Sequence, residues 1–505
     1  MTTPQASIPS ADRSRRREGA PALLAPDVDP RRWQALFLLC AAQFIVILDT
    51  SIIGVALPAI QRALGFSQEG LSWIFNAYVI AFGGLLLLGG RLSDLFGSRR
   101  IFMLGFLTLT VASLVAGLAP SQGVLIAGRA LQGLGAALIA PAALTIVMSL
   151  FATRPPELGK ALGFWGAAAA AGGTAGVFLG GVITQWLSWR WTFLINVPLG
   201  LVVLALSPTL LSPGQIRRGS VDYAGAIAVT GALVVAVYAI VAAPDAGWMS
   251  VRTIGLLVIA AVLLGAFFMI QRRRHEPLIP LRIFAAPNLS AANVVMATLA
   301  GAWIPLWFFL NLYLQQVLGY SAFRGGLALL PMTLAIMILM VGFTERFIGR
   351  FGIKPNLVAG LVLMAAALLL FAQTPVEGSF VAHVLPASLL AALGMSLAYI
   401  PGTIMGMSGA RQEETGLASG LINTSYQIGS ALGLAAMVAA ATARTAGEAS
   451  GAGMSTALGA SARVAALNAG FHMAFTGAAI IAAIGAVLAL VWIRSPKPAG
   501  SPSVP

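Results

Sequence analysis

Long apolar runs alternate with short polar segments along almost the whole chain. A helix needs about 20 mostly apolar residues to cross about 30 Å of hydrocarbon, and this length predicts fourteen membrane-spanning helices. The predicted spans cover residues 33–58, 71–90, 101–118, 124–150, 161–185, 191–211, 222–243, 253–271, 288–316, 325–343, 355–373, 380–407, 416–442 and 471–493. The pattern therefore predicts an all-α polytopic membrane protein.

The order of the spans indicates two similar halves with an insertion between them. The segment DLFGSR at 94–99, after span 2, is echoed by GRFGIK at 349–354, after span 10. If spans 7 and 8 are a central insertion, span 10 is the second helix of a second six-helix half. We therefore predict a disordered tail over 1–32, a six-helix bundle over 33–211, two inserted helices over 222–271, a second six-helix bundle over 288–493 and a tail over 494–505.

Composition supports a membrane protein and explains the basic charge. Hydrophobic residues make up 58% of the chain and charged residues 9%, whereas a soluble domain carries roughly 25% charge. The net charge of +14 comes from basic residues scattered between the apolar runs, which argues against a nucleic-acid surface. With both termini inside the cell, 23 of the 30 basic residues fall in inside segments and six in outside segments. This distribution predicts cytoplasmic termini in a multi-pass protein of the plasma or inner membrane.

The remaining segments carry few signals. The first 30 residues contain arginines but no apolar core, so we predict no cleaved signal peptide. The single cysteine, Cys40, excludes a disulfide framework within the chain. The longest outside segment, 443–470, is rich in alanine, glycine and serine and is predicted to be a flexible loop without a site.

Two charged residues lie deep inside predicted spans. Asp49 is the only acid at depth and Arg129 the only base. Burying such a charge costs about 2.5–3.5 kcal/mol on insertion scales, so we expect Asp49 to face a cavity. Burial favours the neutral form of a carboxyl and a nearby cation favours the charged form, which makes Asp49 a candidate for proton exchange. Arg129 keeps its charge, and a transient or water-mediated pair with Asp49 is the favoured hypothesis; helix-end carbonyls are the alternative.

Glycines form a second exceptional pattern. Gly172, Gly176 and Gly180 follow one another at intervals of four in span 5, which places them on one helix face. Small residues at this spacing allow close approach of two helix backbones. The charged loop from Gly90 to Arg100 places Asp94 among arginines at a helix junction, where a carboxylate can bind one helix end to another.

Together these segments resemble the signatures of the major facilitator superfamily, in particular its fourteen-helix drug:proton antiporter branch, the EmrB/QacA type. Asp49 and the segment VALP at 55–58 match the family's signature in helix 1. Motif A is matched by Gly90, Leu92, Asp94, Gly97, Arg99 and Arg100; motif B by Leu125, Arg129, Gln132, Gly133, Gly135 and Ala136; and antiporter motif C by Gly163, Gly172, Gly176, Gly180 and Gly181. The segment 189–198, which includes Asn196, resembles the helix 6 entry of the same branch. The resemblance covers nearly the whole chain.

The resemblance implies a secondary transporter that exports small lipophilic or cationic drugs or toxic metabolites in exchange for protons, by alternating access. Asp49 and Arg129 would couple the proton, Asp94 and Arg99 would close the cytoplasmic side while the cavity faces outward, and the glycines of motif C would seal the seam between the halves. The residues expected to line the cavity are Gln43, Asn76, Trp303, Phe308, Asn311, Gln315, Asn423 and Gln427.

Three departures from the family pattern stand out. Val177 replaces the proline of motif C, Gly54 replaces an asparagine in helix 1, and Ser51 replaces a threonine there. The core of the second half also carries no acid. We therefore predict coupling through a single carboxyl and weak transport of divalent cations.

Other functions receive less support. The chain has no phosphate-binding loop, so the expected energy source is a proton gradient, without a cofactor. The three histidines are dispersed and form neither a metal site nor a catalytic cluster, so an enzyme is not expected. Two alternatives stay open: a facilitator for another small metabolite without proton coupling, and a membrane sensor that transports nothing. The sequence is compatible with a monomer and leaves the oligomeric state and any periplasmic adaptor open.

Overall fold

Helices account for the regular structure of the chain. The computed structural model describes residues 31–151, 155–214, 220–408, 415–451 and 460–494, and these residues form helices without a β-strand. Fourteen of the helices are long and apolar enough to cross a membrane, so the prediction of fourteen spans is confirmed. The predicted tails fall almost wholly on residues 1–30 and 495–505, which lie outside the described residues.

We number these helices α1 to α14 in chain order. Their bounds are α1 Arg32–Leu64, α2 Gln68–Phe96, α3 Ser98–Gly117, α4 Gln122–Phe151, α5 Pro155–Trp186, α6 Trp191–Leu210, α7 Tyr223–Ala246, α8 Val251–Arg273, α9 Leu289–Val317, α10 Ala322–Gly342, α11 Ile353–Phe371, α12 Phe380–Met407, α13 Thr415–Gly451 and α14 Ala460–Trp492.

Local capping explains several of the helix ends. Helix α1 ends at Gly65, whose φ of 70° is a left-handed conformation that suits glycine. Helix α2 then begins after Ser67, whose hydroxyl accepts a hydrogen bond from the backbone N–H of Gly70 at 3.0 Å. Asp222 caps α7 in the same way by accepting from Gly225 N at 2.9 Å. The caps at Gly65 and Ser67 fix the short turn between α1 and α2.

The helices group into two halves and a peripheral pair. In the first half α1 packs on α5, and α4 packs on α2 and α3; in the second half α9 packs on α13, α11 on α12 and α13 on α14. The inserted helices α7 and α8 pack on each other, and α7 also contacts α2 and α13. Helix α8 buries little of its surface within the protein, which is expected of a helix that faces lipid.

Two segments differ from the sequence-based expectations. The predicted loop 443–470 is wrong over most of its length, because α13 continues to Gly451 and α14 begins at Ala460. Alanine is the strongest helix former, and the alanines of these ends prolong both helices beyond the hydrophobic spans. A short helix that the sequence analysis missed, Thr344–Phe351, joins α10 to α11.

Hydrogen bonds between the two halves lie at one end of the bundle. We call the end with the α1–α2 turn the outer end, following the predicted orientation, and the end with the α2–α3 loop the inner end. Gln315 donates to Val55 O at 3.0 Å, Gln316 donates to Gln61 Oε1 at 2.8 Å, and Gln68 donates to Gln316 Oε1 at 2.9 Å. Within the described part of the chain, no other hydrogen bond joins the halves.

Side-chain packing closes the same end. The rings of Phe75 in α2 and Phe308 in α9 meet edge to face at 6.0 Å. On the other side of the bundle, Phe323 at the start of α10 packs against Phe178 and Trp186 of α5. We refer to these contacts and the three hydrogen bonds as the outer gate, and it is closed in this structure.

Candidate functional site

The deepest charged residues of the chain form a direct ion pair. Asp49 in α1 and Arg129 in α4 face each other, and Arg129 Nη1 donates to Asp49 Oδ2 at 2.8 Å. The Asp49 side chain is 1% exposed and that of Arg129 is 0% exposed. The pair is therefore direct and fully enclosed, where the sequence had favoured a transient or water-mediated contact.

Two further side chains complete the coordination of the carboxylate. Asp49 Oδ1 accepts hydrogen bonds from Gln132 Nε2 at 2.8 Å and from Asn196 Nδ2 at 2.6 Å. Gln132 lies one helical turn after Arg129 in α4, and its amide nitrogen also contacts Ser113 Oγ of α3 at 2.8 Å. Asn196 comes from α6. The carboxylate thus ties α1 to α4 and α6, and through Gln132 to α3.

The guanidinium of Arg129 has its own supports. Its Nε donates to Ile74 O of α2 at 2.9 Å, and its Nη1 also donates to Gln132 Oε1 at 2.8 Å. The Tyr78 ring lies 4.4 Å from the guanidinium carbon, a distance at which a cation is attracted to an aromatic face. Arg129 Nη2 is buried and has no hydrogen-bond partner among the described residues. This unused donor is available to a rearranged partner.

The position of Asp49 corrects one expectation. The sequence predicted that Asp49 faces a cavity, but it lies inside the first half, enclosed by α1, α2, α3, α4 and α6. The physical reason is that Arg129, Gln132 and Asn196 supply the compensation that water would otherwise supply. A buried pair with this many hydrogen bonds holds its charges without solvent.

Chemically, the network can exist in two protonation states. A carboxylate accepts all three hydrogen bonds, whereas a protonated carboxyl carries a hydrogen on one oxygen and loses its attraction to Arg129. Protonation of Asp49 would therefore weaken the links from α1 to α4 and α6 together. Neutralising one small group changes the contacts between several helices of one half.

Sequence reasoning missed part of this network. Gln132 and Asn196 were recognised as motif matches but not as partners of Asp49, and Ser113 and Tyr78 were not singled out. A signal did exist, because Gln132, Asn196 and Ser113 are polar residues inside apolar spans, where each needs a buried partner. Which of them share one partner depends on the packing of the helices.

The motif A loop binds a different partner from the one expected. Arg99 Nη1 donates to Leu211 O at 3.0 Å at the end of α6, where a cation meets the negative end of the helix dipole. Asp94 makes no hydrogen bond or ion pair to a described residue, and Arg100 is exposed. The predicted latch between Asp94 and Arg99 is thus absent from this conformation, whose outer gate is closed; the sequence predicted the latch for the outward-facing state.

Two glycines shape the same loop. Gly97 has a φ of 89°, which allows the sharp turn from α2 into α3. Gly90, the motif position, has only ordinary contacts, whereas a Cβ on its neighbour Gly89 would lie 2.0 Å from Ala137 O of α4. The close approach of α2 and α4 therefore requires Gly89, a residue that the sequence analysis did not single out.

The motif A loop also holds the inserted pair of helices. Arg91 Nη2 donates to Glu276 Oε2 at 2.8 Å, and Arg91 Nε donates to Ser220 O at 3.3 Å. Glu276 accepts hydrogen bonds from the Ser220 backbone N–H and hydroxyl. The pKa of Glu276 lies below its ordinary value. The main cause is the hydrogen bond from the Ser220 backbone N–H, followed by the Ser220 hydroxyl and Arg91. These contacts anchor the segments that flank α7 and α8 to the end of α2.

The glycines of motif C divide into three groups. A Cβ at Gly172, Gly176 or Gly180 would lie 2.5–2.8 Å from the nearest atom of α1, within the same half. Gly181 instead packs on Ala322 O of α10, across the seam. Gly163 is exposed and has no neighbour within 4 Å.

The seam-sealing role predicted for all five glycines is therefore carried by Gly181 alone in this conformation. Nine residues separate Gly163 from Gly172, so at 100° per residue the two lie on opposite faces of α5. Val177, which stands in place of the family's proline, also reaches the seam: its carbonyl oxygen would lie 2.9 Å from a Cβ at Gly326.

The residues expected to line a cavity fall in several places. Phe308, Asn311 and Gln315 lie at the outer gate, and the Asn311 amide occupies the space that a Cβ at Gly54 would enter, at 3.1 Å. Gln427 packs on Gly83 where α13 meets α2. Trp303 is buried against Trp307.

The other three have no hydrogen bond to a described residue: Gln43 and Asn423 are partly buried, and Asn76 is fully buried. Gly54, noted as a departure from the family, is explained by the close approach of Asn311.

Comparisons with known proteins identify the family. The family model described as Major Facilitator Superfamily matches residues 39–434. The chain is 38% identical over 423 residues to the puromycin resistance protein pur8 of Streptomyces alboniger, covering 83% of each chain. It is 36% identical to the cephamycin export protein CmcT of Amycolatopsis lactamdurans, over 82% of this chain and 86% of that protein.

Solved structures agree on the fold. The crystal structure of the POT family transporter PepTSo superposes with a TM-score of 0.65 at 15% identity, covering 91% of this chain and 97% of that one. The predicted fold, with two six-helix bundles and two extra helices in the membrane, is therefore confirmed, as is a transporter rather than an enzyme. On this sequence match and this fold, the chain belongs to the Major Facilitator Superfamily and is a multi-pass protein of the cell membrane.

Proposed function

We propose that the chain exports small lipophilic or cationic drugs or toxic metabolites in exchange for protons. The observation that carries the proposal is the enclosed pair of Asp49 and Arg129, held by side chains from several helices of one half. Relatives named for antibiotic resistance or export support the cargo class. The proton is the coupling ion, and no cofactor takes part.

The coupling step follows from the network. In the structure Asp49 is paired, which suits a charged carboxylate. A proton that binds Asp49 removes the attraction to Arg129, and Arg129 keeps its charge because arginine does not deprotonate in proteins. The guanidinium can then rely on Ile74 O, Gln132 and the Tyr78 ring. Helix α1 becomes free to shift against α4 and α6.

Movement of α1 reaches the outer gate directly. Val55 lies on the same helix six residues after Asp49, and its carbonyl accepts the hydrogen bond from Gln315 of the second half. Gln61, farther along α1, accepts from Gln316. In the proposed cycle Asp49 takes a proton from the outside once the cargo has left and the protein returns to the gate-closed shape. Release of the proton inside then restores the pair seen here.

The other motifs take supporting roles in this cycle. Asp94 and Arg99 would pair when the inner end closes, with Arg99 leaving the carbonyl of Leu211 that it contacts here. The close contact of α5 with α1 through Gly172, Gly176 and Gly180 makes these two helices move as one unit. With Asp49 as the single coupling carboxyl, we expect poor transport of divalent cations.

The test is transport by the purified protein in proteoliposomes with an imposed pH gradient. A compound panel would include tetraphenylphosphonium and neutral lipophilic antibiotics. Wild-type protein should move at least one compound against its gradient, and the Asp49→Asn variant should lose the dependence on pH while still exchanging labelled for unlabelled compound. Asp245→Asn, which removes an exposed acid at the outer end of α7, is the matched control and should behave as wild type.

Each alternative predicts a different result. Transport by wild type that ignores the pH gradient would identify a facilitator without proton coupling, in which Asp49 serves structure. A correctly folded wild type that transports no compound of the panel, with Asp49→Asn equally inactive, would favour a membrane sensor. Coupled transport that survives in Asp49→Asn would refute the assigned role of Asp49.

A further inference from the structure

A cavity of about 240 Å³ lies just outside the outer gate. Its wall is built from the first turn of α2 in the first half and from α9, α13 and α14 of the second half. Asp49 and its partners are not part of it. The cavity therefore belongs to the outer seam between α2 and α13 and not to the buried network.

The lining has the chemistry of a cation site. Glu69 is the one charged residue of the lining, and Phe308, Phe309 and Phe471 supply aromatic surface. The Phe309 and Phe471 rings pack at 5.4 Å, so this part of the wall is a preformed cluster. Aromatic faces and a carboxylate both attract positive charge, and neither attracts an anion.

Two acceptors in this wall lack a positive partner. The Glu69 side chain makes no ion pair with any described residue. The Gln68 Oε1 atom is buried and accepts no hydrogen bond there, although Gln68 Nε2 is used in the outer gate. Arg444, the neighbour of the lining residue Thr445, pairs with Glu448.

We propose that this cavity is a substrate site, which binds small lipophilic cations with Glu69 as the charged anchor. Phe308 and Gln68 belong to both the outer gate and the cavity wall, so a cargo that passes the gate reaches this site directly. The inference rests on the proposed export function and assigns a binding site to its cationic substrates. A pocket that encloses a drug-sized molecule measures roughly 300–1,000 Å³, so this one holds a small cation or the charged end of a longer amphiphile.

Protection from thiol labelling tests the site without relying on transport. Cys40 is the sole cysteine, so a Cys40→Ala, Thr442→Cys protein carries one thiol, in the cavity wall. Tetraphenylphosphonium should slow the reaction of this thiol with N-ethylmaleimide, as read by mass spectrometry. Adding Glu69→Gln should raise the half-protecting concentration about fivefold. Adding Asp245→Asn should leave that concentration unchanged.

Three results would overturn the inference. They are absence of protection, equal protection in the Glu69→Gln protein, and equal protection by the neutral analogue triphenylphosphine oxide. Efflux gives a second measurement: Glu69→Gln should slow export of tetraphenylphosphonium about fivefold and leave export of a neutral compound unchanged. Normal cation export by Glu69→Gln would contradict the assignment of this site and would leave the proposed function intact. A wild type that transports nothing, with Glu69-dependent protection intact, would sink the function and leave the site.

Discussion

Asp49 and Arg129 should contribute to the free energy of unfolding as a strongly coupled pair. At the observed 2.8 Å, an effective dielectric constant of 20 gives an attraction of about 6 kcal/mol, which the removal of both charges from water offsets in large part. Removing one partner of such a pair costs about 3–5 kcal/mol, because the other charge stays buried. Asp49→Asn also places an amide NH₂ group where donors from Arg129, Gln132 and Asn196 converge.

The double variant carries neither charge and should therefore recover much of this loss. We expect Asp49→Asn and Arg129→Met to destabilise the protein by about 3 kcal/mol or more each, and the double variant by about 3 kcal/mol less than their sum. Unfolding by dodecyl sulfate in mixed micelles, followed by tryptophan fluorescence, measures all four free energies. The exposed pair Arg444 and Glu448 is the control, with an expected coupling of about 0.3–0.5 kcal/mol. A coupling for the buried pair as small as that of the control would refute this account.

Three further outcomes are expected. Gly176→Ala should destabilise the protein by about 1–3 kcal/mol, because its Cβ would lie 2.8 Å from Ser51 Cβ. Gly163→Ala should be neutral or stabilising by about 0.5–1 kcal/mol. Thermal unfolding that ranks the two variants the other way would contradict the helix packing. Gln316→Ala removes two hydrogen bonds of the outer gate, each worth about 0.5–1.5 kcal/mol. Distances between spin labels on the outer ends of the two halves should therefore show a larger population of the open state. An unchanged distance distribution would show that these hydrogen bonds do not hold the gate closed. The pKa of Glu276 is lowered, so its contacts stabilise the anchored segment above the ordinary pKa and are lost as the pH falls through the lowered value. Hydrogen exchange of the Leu278 and Ile279 amides, corrected for the intrinsic rate, should therefore rise in acid and, in Glu276→Gln, be raised already at neutral pH.

The sequence predicted the membrane helices because the signal is local. Each span is a run of apolar residues, and a bilayer imposes its thickness on every helix that crosses it. The same rule underestimated the helices at 443–470, because hydropathy marks where lipid begins and not where a helix ends. Alanines at those ends favour helix and continue both helices past the predicted spans.

The partners of a buried charge were harder to predict. The sequence singled out Asp49 and Arg129 because charge is rare in the spans, and it placed Gln132 and Asn196 only as motif residues. Their convergence on one carboxylate depends on the rotation of α4 and α6 about their axes. Small differences in helix rotation decide whether a side chain meets a partner, lipid or a cavity, and no single helix carries that information.

The sequence by itself determined how many helices cross the membrane, how they group and which charges are out of place, since hydropathy, repeats and rare charges can be read along one chain. Only the tertiary structure decided that Asp49 is enclosed in one half, that Arg99 binds the end of α6 in this conformation, and that Gly172 packs on α1 whereas Gly181 packs on α10. The physical reason is that lipid selects apolar residues without regard to their order, whereas a buried hydrogen bond forms only between atoms that packing brings within about 3 Å.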